Sequence, residues 1–585
     1  MINLKINGIP VQAEEGDTIL ETAKKANIKI PTLCYNPDLP AWASCGICIV
    51  RMAGSPRMVR ACTTPVDGSM EGKEIITHDA EIIATRRTVL ELILSNHPND
   101  CLQCPRNGSC ELQTLAEEFG IREAPYRKVM NGLPIDDSNP AIILNPEKCI
   151  RCGRCVKVCQ EVQNVWALEF LGRGIKGKIA SAADAPLGES PCIKCGQCAA
   201  HCPVGAIYER DDTAKVWRAL HNPDQHTVVQ IAPAVRVALA EEFGLEPGTV
   251  FTKKIYSALR RLGFKTVFDT NFSADLTIME EGTELVKRLT EKGDIPLITS
   301  CCPAWVDYME KYYADMIPNF STAKSPQQMM GAMIKAYWAD KAGVDPDTVY
   351  SVSVMPCTAK KWETRRNDDM KSAGHGYDVD IVITTRELAR MIKQAGIDIL
   401  KLPDEEADSP LGPYTGAGTI FGVTGGVMEA AVRSAYYLVT GKELPDVNFK
   451  PARGLEGVKE AEVDFNNGTK IRIAIAHQMG NIATVLDRIR AARDSGKETP
   501  YHFVEVMACR GGCIGGGGQP YGCTDLIRKQ RSSGIYSDDE KSQLRCSHQN
   551  PFITQVYKEF LGEPSGHKAH ELLHTKYVER PLYVK

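Results

Sequence analysis

The stretches 149-CIRCGRCVKVC-159 and 192-CIKCGQCAAHCP-203 repeat one cysteine spacing, x2, x2 and x3. Two such runs hold a pair of 4Fe–4S clusters, the last cysteine of each run crossing to the other cluster. The spacing assigns Cys149, Cys152, Cys155 and Cys202 to one cluster, and Cys192, Cys195, Cys198 and Cys159 to its twin. Zinc is the competing reading, but zinc sites pair two C-x2-C hooks rather than two runs of four. Pro203 closes the second run and IYER follows it as a short strand, whereas the first run has Gln160 in place of the usual proline. These residues read as a bacterial-type two-cluster module.

The surrounding composition fits redox chemistry. The chain has 585 residues and 22 Cys, fifteen of them within residues 1–202. Lys+Arg 69 against Asp+Glu 73 leaves a net charge of −4, which argues against nucleic-acid or basic membrane-surface binding. The opening MINLKINGIPVQAEEG has no apolar signal-peptide core, and no run approaches ~18 apolar residues. A secreted disulfide framework is therefore disfavoured; the expectation is a reducing, cytoplasmic setting in which clustered cysteines bind metal.

Working upstream, Cys34-x10-Cys45-x2-Cys48-x13-Cys62 supplies four more thiolates. They lie in a small β-sheet domain: strand LKIN, turn Asn7-Gly8, strand PVQA, then a helix from Asp17-Thr18 through Ala26. The first interval exceeds the x4 of a plant-type 2Fe–2S site. The pattern resembles the N-terminal 2Fe–2S domain of NADH dehydrogenase (complex I) large subunits and of large iron-only hydrogenases. Between the two modules, Cys101-x2-Cys104-x5-Cys110 leaves a 4Fe–4S cluster one ligand short, and His97 stands just before it. The missing ligand and the same resemblance make His97 the fourth. Neutral imidazole should raise the potential of this cluster above that of an all-Cys one.

Downstream of about residue 211, charged helices (DDTAKVWRALHN, VRVALAEEFG, KKIYSALRRLG) alternate with apolar strands (HTVVQIA, KTVFD, PLITS, SVSVM, DIVITT, IRIAIA, HFVEVM). This predicts α/β architecture in two lobes, parted near residues 400–420. Three strands run into cysteine loops: PLITS-Cys301-Cys302, SVSVM-Pro356-Cys357 and FVEVMA-Cys509-x3-Cys513. Ligand sites of open α/β sheets lie at strand carboxyl ends, so the loops are expected to converge. The loops together carry five thiols, enough for a further cubane, and the glycines at 511, 512 and 515–518 are expected to let backbone approach a bulky inorganic group.

TSCCPAW, MPCTAKKWE and EVMACRGGCIGGGGQP resemble the three signature segments of iron-only (FeFe) hydrogenases, and the similarity spans essentially the whole chain. The tail HQNPFITQVYKEFLGEPSGHKAHELLH resembles the part that is a separate small subunit in periplasmic members. The resemblance implies that Cys302, Cys357, Cys509 and Cys513 hold a further cubane, and that Cys513 also bridges to a two-iron subcluster carrying CO, cyanide and a dithiolate, where dihydrogen is split. It implies that Cys301 exchanges protons with that group, and that Glu281, Glu284, Arg288 and Ser321 relay them outward. Lys360 would donate to a cyanide. Met355 and Met507 would pack on the two-iron unit, and Pro233, Gln327 and Phe421 would line the pocket.

The expected architecture is multidomain α/β and α+β. It comprises a 2Fe–2S ubiquitin-like or plant-ferredoxin-like domain (1–78), a His/Cys3 4Fe–4S domain (79–138), a two-cluster ferredoxin domain (139–210), a two-lobed catalytic domain (211–545) and a helical tail (546–585). The lone G-x-G-x-x-G string, Gly172 to Gly177, reads as a turn rather than a nucleotide fingerprint, because Cys192 follows too soon for a βαβ unit. No NAD(P) or flavin site is expected in the chain. Layout and tail resemble the catalytic subunit of NADP-reducing multi-subunit hydrogenases, implying partner subunits with flavin, Fe–S and NAD(P) sites, maturation proteins, and ferredoxin in a bifurcating variant. The alternatives are a ferredoxin-linked hydrogenase working alone, a hydrogen sensor, or a hydrogenase-like Fe–S carrier. Cys523 and Cys546 match no cluster pattern.

Overall fold

The computed structural model describes residues 1–584 except 292, 466, 467 and 469. At the N-terminus, β1 (Ile2–Ile6) and β2 (Ile9–Ala13) form an antiparallel hairpin. Asn7 and Gly8 both take positive φ, the geometry a two-residue turn needs to match strand twist. The helix Ile19–Lys25 opens on a capping box of Thr18 and Glu21. With β3 (Ile49–Met52), β4 (Met58–Arg60) and β5 (Glu74–Ile76) the hairpin completes a five-stranded sheet ordered β2-β1-β5-β3-β4. Helix Ala80–Ser95 then leads to the second cysteine group.

The two-cluster module is framed by β6 (Ile142–Leu144), paired antiparallel with β9 (Ile207–Glu209), the IYER strand. Between them, β7 (Glu169–Leu171) and β8 (Lys178–Ala180) form a hairpin whose loop holds the Gly172–Gly177 string, so that string is a turn and not a strand-to-helix junction. This module shares one apolar core with the second catalytic lobe, which includes Val158, Ile193, Trp305, Met479 and Val504. Polar ties reinforce the joint. Gln163 Nε2 donates to the Ala508 carbonyl at 2.9 Å, and Arg386 of the first catalytic lobe pairs with Glu209 of the module at 2.8 Å.

The catalytic part contains two four-stranded sheets. The first, β11-β10-β13-β14, is all parallel: β10 (His226–Ile231), β11 (Thr266–Asp269), β13 (Val349–Met355) and β14 (Ile381–Thr384). Its strands are buried on both faces, as helix-covered parallel strands must be. The second, β12-β17-β16-β15, joins β12 (Leu297–Ile298), β15 (Val458–Asp464), β16 (Lys470–His477) and β17 (Phe503–Met507). β15 is its antiparallel edge strand, with buried and exposed residues alternating in part, and was not anticipated from the sequence.

Two expectations are corrected here. The lobes are not divided simply at residues 400–420: β12, from PLITS, pairs with Phe503 and Val504 of β17, so the chain visits the second sheet before returning to finish the first. Strand membership depends on crossovers that local periodicity does not encode. VRVALAEEFG forms only a 3-10 turn at Leu239–Phe243, ended by Gly244 in the left-handed region.

Candidate active site

The three cysteine loops meet where the two sheets face each other, because β12, β13 and β17 all end there. A cavity of about 80 Å³ opens between them, lined by Cys301, Cys302, Cys357, Cys509 and Cys513. Pro233, Gln327, Met355, Lys360, Phe421 and Met507 line the same cavity, so the residues expected in the pocket are brought together. Ala234 joins them, its carbonyl held by Gln519 Nε2 at 2.9 Å.

Burial raises all five thiols above the ordinary range, Cys357 to about 12, and neighbouring thiols add to the shift of each except Cys302. A buried, crowded set of this kind holds negative charge only with a compensating cation, which iron supplies. The donor set thus fits a cubane, and the apolar cavity beside Cys513 fits a group extending from it. A single zinc, with Zn–S near 2.3 Å, would draw its thiolates to about 3.8 Å of one another. Among the described residues, no three of these thiols lie mutually within 4.8 Å.

The glycine run departs from expectation. Gly512 and Gly516 do line the cavity, but a Cβ at Gly516 would collide with the Pro356 carbonyl, one at Gly517 with the Cys195 carbonyl, and one at Gly518 with Thr384. The run is glycine mainly because protein backbone crowds it.

Lys360 is held by two acceptors, the Cys301 carbonyl at 3.1 Å and Glu363 at 2.9 Å. Burial pushes its pKa down, the Glu363 carboxylate outweighs that, and the net shift is upward, which keeps it charged. Ser325 and Gln327 also donate to Glu363, at 2.9 and 3.0 Å. Glu363 stands in the quoted MPCTAKKWE, three residues after Lys360, and that spacing was the signal for this role.

Behind Cys301 runs helix Thr270–Thr290. Glu281 is buried with neither carboxylate oxygen in hydrogen-bond geometry, although Ser321 and the Ser300 backbone approach it. Burial lifts its pKa to about 8. Ser321 Oγ lies 3.4 Å from Glu284, and Glu284 pairs with Arg288 at 2.6 Å. Arg288 also donates to the Pro318 and Phe320 carbonyls at 2.9 and 2.7 Å, so it fastens helix to loop. The tail closes over this row. Tyr577 donates to the Ser321 carbonyl at 2.8 Å, and His574 bridges Glu280 and Thr322 at 3.0 and 2.8 Å.

The other cysteine groups also assemble. Cys34 contacts Cys45 and Cys62, and Cys62 contacts Cys48. Cys149, Cys152 and Cys155 sense the charge of Cys202, while Cys195 and Cys198 sense Cys192 and Cys159. The last cysteine of each run therefore faces the other run. His97, Cys101 and Cys110 line one pocket, and Cys104 stands against Gly205, where a Cβ would strike its sulfur. Nε2 of His97 is buried without a partner, while Nδ1 meets Asn99 twice, at 3.2 Å from its Oδ1 and at 3.2 Å from its backbone N–H. One contact escaped the sequence reading: Gln197, between Cys195 and Cys198, donates to Cys509 Sγ at 3.2 Å and to the Gly515 carbonyl at 3.1 Å.

The comparisons with known proteins cover the whole chain. The family model described as iron only hydrogenase large subunit, C-terminal domain, matches residues 225–517, and that of the iron hydrogenase small subunit matches 525–580. The small-subunit match begins at helix Asp525–Lys541, ahead of the tail boundary read from sequence. A 2Fe–2S cluster binding domain matches 1–74, the NADH-ubiquinone oxidoreductase-G iron–sulfur binding region 86–125, and a 4Fe–4S dicluster domain 148–206. The NADP-reducing hydrogenase subunit HndD of Solidesulfovibrio fructosivorans is 47% identical over 99% of both chains. Iron hydrogenase 1 of Clostridium pasteurianum is 41% identical over 99% of this chain and 100% of its own. A solved single-residue variant of the [FeFe]-hydrogenase HydA1 from Chlamydomonas reinhardtii superposes with a TM-score of 0.56 at 42% identity, over 64% of this chain and 100% of that one. With 2Fe–2S and 4Fe–4S modules joined to this catalytic domain, the chain belongs to the iron-only hydrogenases and is an oxidoreductase.

Proposed function

We propose that the chain is the hydrogen-activating subunit of a cytoplasmic NAD(P)-linked complex, catalysing H2 = 2 H+ + 2 e−. The observation that carries the reading is the single apolar cavity shared by four potential ligand thiols, a spare thiol and a charged lysine. Cys302, Cys357, Cys509 and Cys513 would hold the H-cluster, a cubane joined to a two-iron unit with CO, cyanide and dithiolate. When bound, that group supplies the redox chemistry on dihydrogen, and the protein supplies position, charge and exclusion of water.

Cys301, its thiol kept protonated by burial, holds the proton at the cavity wall. Glu281, with a pKa near 8, is suited to take and return it near neutral pH. Ser321, Glu284 and Arg288 continue the row outward. The cysteine groups and His97 would hold one 2Fe–2S and three accessory 4Fe–4S clusters, which would supply the path for electrons. The full-length likeness to a relative whose name specifies NADP reduction supports partners with flavin and NAD(P) sites, and leaves room for ferredoxin as a second acceptor. Among the described residues no helix is long and apolar enough to cross a membrane.

Two measurements test this. Infrared bands of metal-bound CO and cyanide are expected in the anaerobically matured protein, and their absence removes the H-cluster. Anaerobic pull-down from the native host should recover a flavin- and NAD(P)-binding partner; a monomer active with ferredoxin would replace the complex. A third prediction concerns wiring. Hydrogen bonds to cluster sulfurs raise potentials, so Gln197→Leu should lower the midpoint potential of the cubane ligated by Cys509, read by redox titration. An unchanged potential would leave Gln197 a packing residue.

A further inference from the structure

Cys546 has no place in the electron relay, yet it does not stand alone. Its thiol, His548 and Glu443 offer three ligand atoms within 4.8 Å of one another. The cysteine precedes the 3-10 turn Ser547–Gln549 and the histidine lies within it, whereas Glu443 follows the helix Gly426–Thr440. Cys546 is 1% exposed. The His548 ring is held from two other sides: Tyr437 stacks on it at 4.2 Å, and Nδ1 lies 3.1 Å from Ser434 Oγ. Nε2 points at the Glu443 carboxylate, 3.1 and 3.2 Å from its two oxygens. When Nδ1–H donates to Ser434 Oγ, the Nε2 lone pair and the Glu443 carboxylate are both acceptors, and a cation can lie between them; the opposite tautomer fills that place with an Nε2–H. The nearby guanidinium groups of Arg433 and Arg545 are taken up by Asp539, so they do not hold the site against a cation.

We propose that Glu443, Cys546 and His548 bind a zinc ion that fastens the tail to the catalytic domain. Thiolate, imidazole and carboxylate are the donors zinc prefers, and Ser434 supplies the outer contact that orients a ligating histidine. The half-exposed Glu443 side chain leaves room for water as the fourth ligand and for metal exchange. On binding, the Cys546 thiol releases its proton to solvent as the S–Zn bond forms. The clamped turn is mechanically relevant: Ser547 and Asn550 bond Asp275 of the Thr270–Thr290 helix at 2.8 and 3.0 Å, and that helix carries Glu281.

The test uses iron-replete holoenzyme, so that cluster thiolates are not open to zinc, incubated anaerobically with zinc sulfate and desalted. Elemental analysis should find about one zinc per chain, and zinc K-edge absorption should show a single sulfur among nitrogen and oxygen neighbours. His548→Ala and Cys546→Ser should each weaken zinc binding at least about tenfold, with iron content unchanged. If Cys546→Ser fails to fold, Glu443→Gln, altered on a half-exposed side chain, provides the second variant. No retained zinc in the wild type, meaning that a plain His548–Glu443 hydrogen bond fills the site, overturns the proposal, as does zinc retained equally by the variants.

Discussion

Cys301→Ala is expected to lose about 10²–10⁴-fold in hydrogen turnover, in both directions, while keeping its cluster complement. Its thiol lines the cavity beside the four potential ligands, and burial followed by the charges of Glu281, Cys302 and Cys513 holds its pKa far above the thiol norm. It is therefore held as a thiol rather than a thiolate, as the proposed proton carrier must be. Lys360 bonds the Cys301 backbone carbonyl, which alanine retains, so the substitution removes the thiol without freeing the lysine. Infrared CO and cyanide bands and iron content should stay those of the wild type. Cys301→Asp, which restores an exchangeable proton, should recover part of the rate. Turnover within about threefold of wild type in the alanine variant would assign the proton step to another group.

The cluster modules were legible in the sequence because ligand spacing is local: an x2 or x3 interval sets where consecutive thiols can point, whatever the rest of the chain does. The signature loops were legible for the same reason. The topology was not. The two residues of β12 carry no mark that they belong beside Phe503, some two hundred positions away, rather than beside their neighbours in sequence. Residues acting across module boundaries were equally hidden. Gln197 reads as filler between ligands until the fold sets it on Cys509, and His574 and Tyr577 read as tail until they are seen to cover the row of Glu284 and Ser321. Glu280 and Glu281 are adjacent in sequence, yet one is partnered by Tyr557, His574 and the Ser565 amide and the other by nothing in good geometry. That difference is what singles out Glu281 as a group free to change its protonation state.

Glu281→Gln should therefore cost activity and add stability, a pairing that a merely structural carboxylate would not produce. Its unfolded pKa is near 4.5 and its folded pKa about 8, the shift coming first from burial. A raised carboxyl pKa means the unfolded state loses its proton first as pH rises. The folded state is thus destabilised progressively between about 4.5 and 8, and by a constant amount above that. The full effect is on the order of a few kcal/mol. Glutamine has the shape of the protonated acid and no charge to desolvate, so the variant should gain in melting temperature at pH 8 and gain little at pH 4.5. Glu505, another buried acid raised to about 7, tilts the wild-type profile in the same direction, so the difference between variant and wild type is the quantity to read. Turnover should fall by about 10²-fold or more, because an amide cannot accept and return a proton. Unchanged CO and cyanide bands would show that the H-cluster is intact. A variant with the wild-type dependence of melting temperature on pH would mean that Glu281 is ionised and partnered in the folded protein, and the relay would have to bypass it.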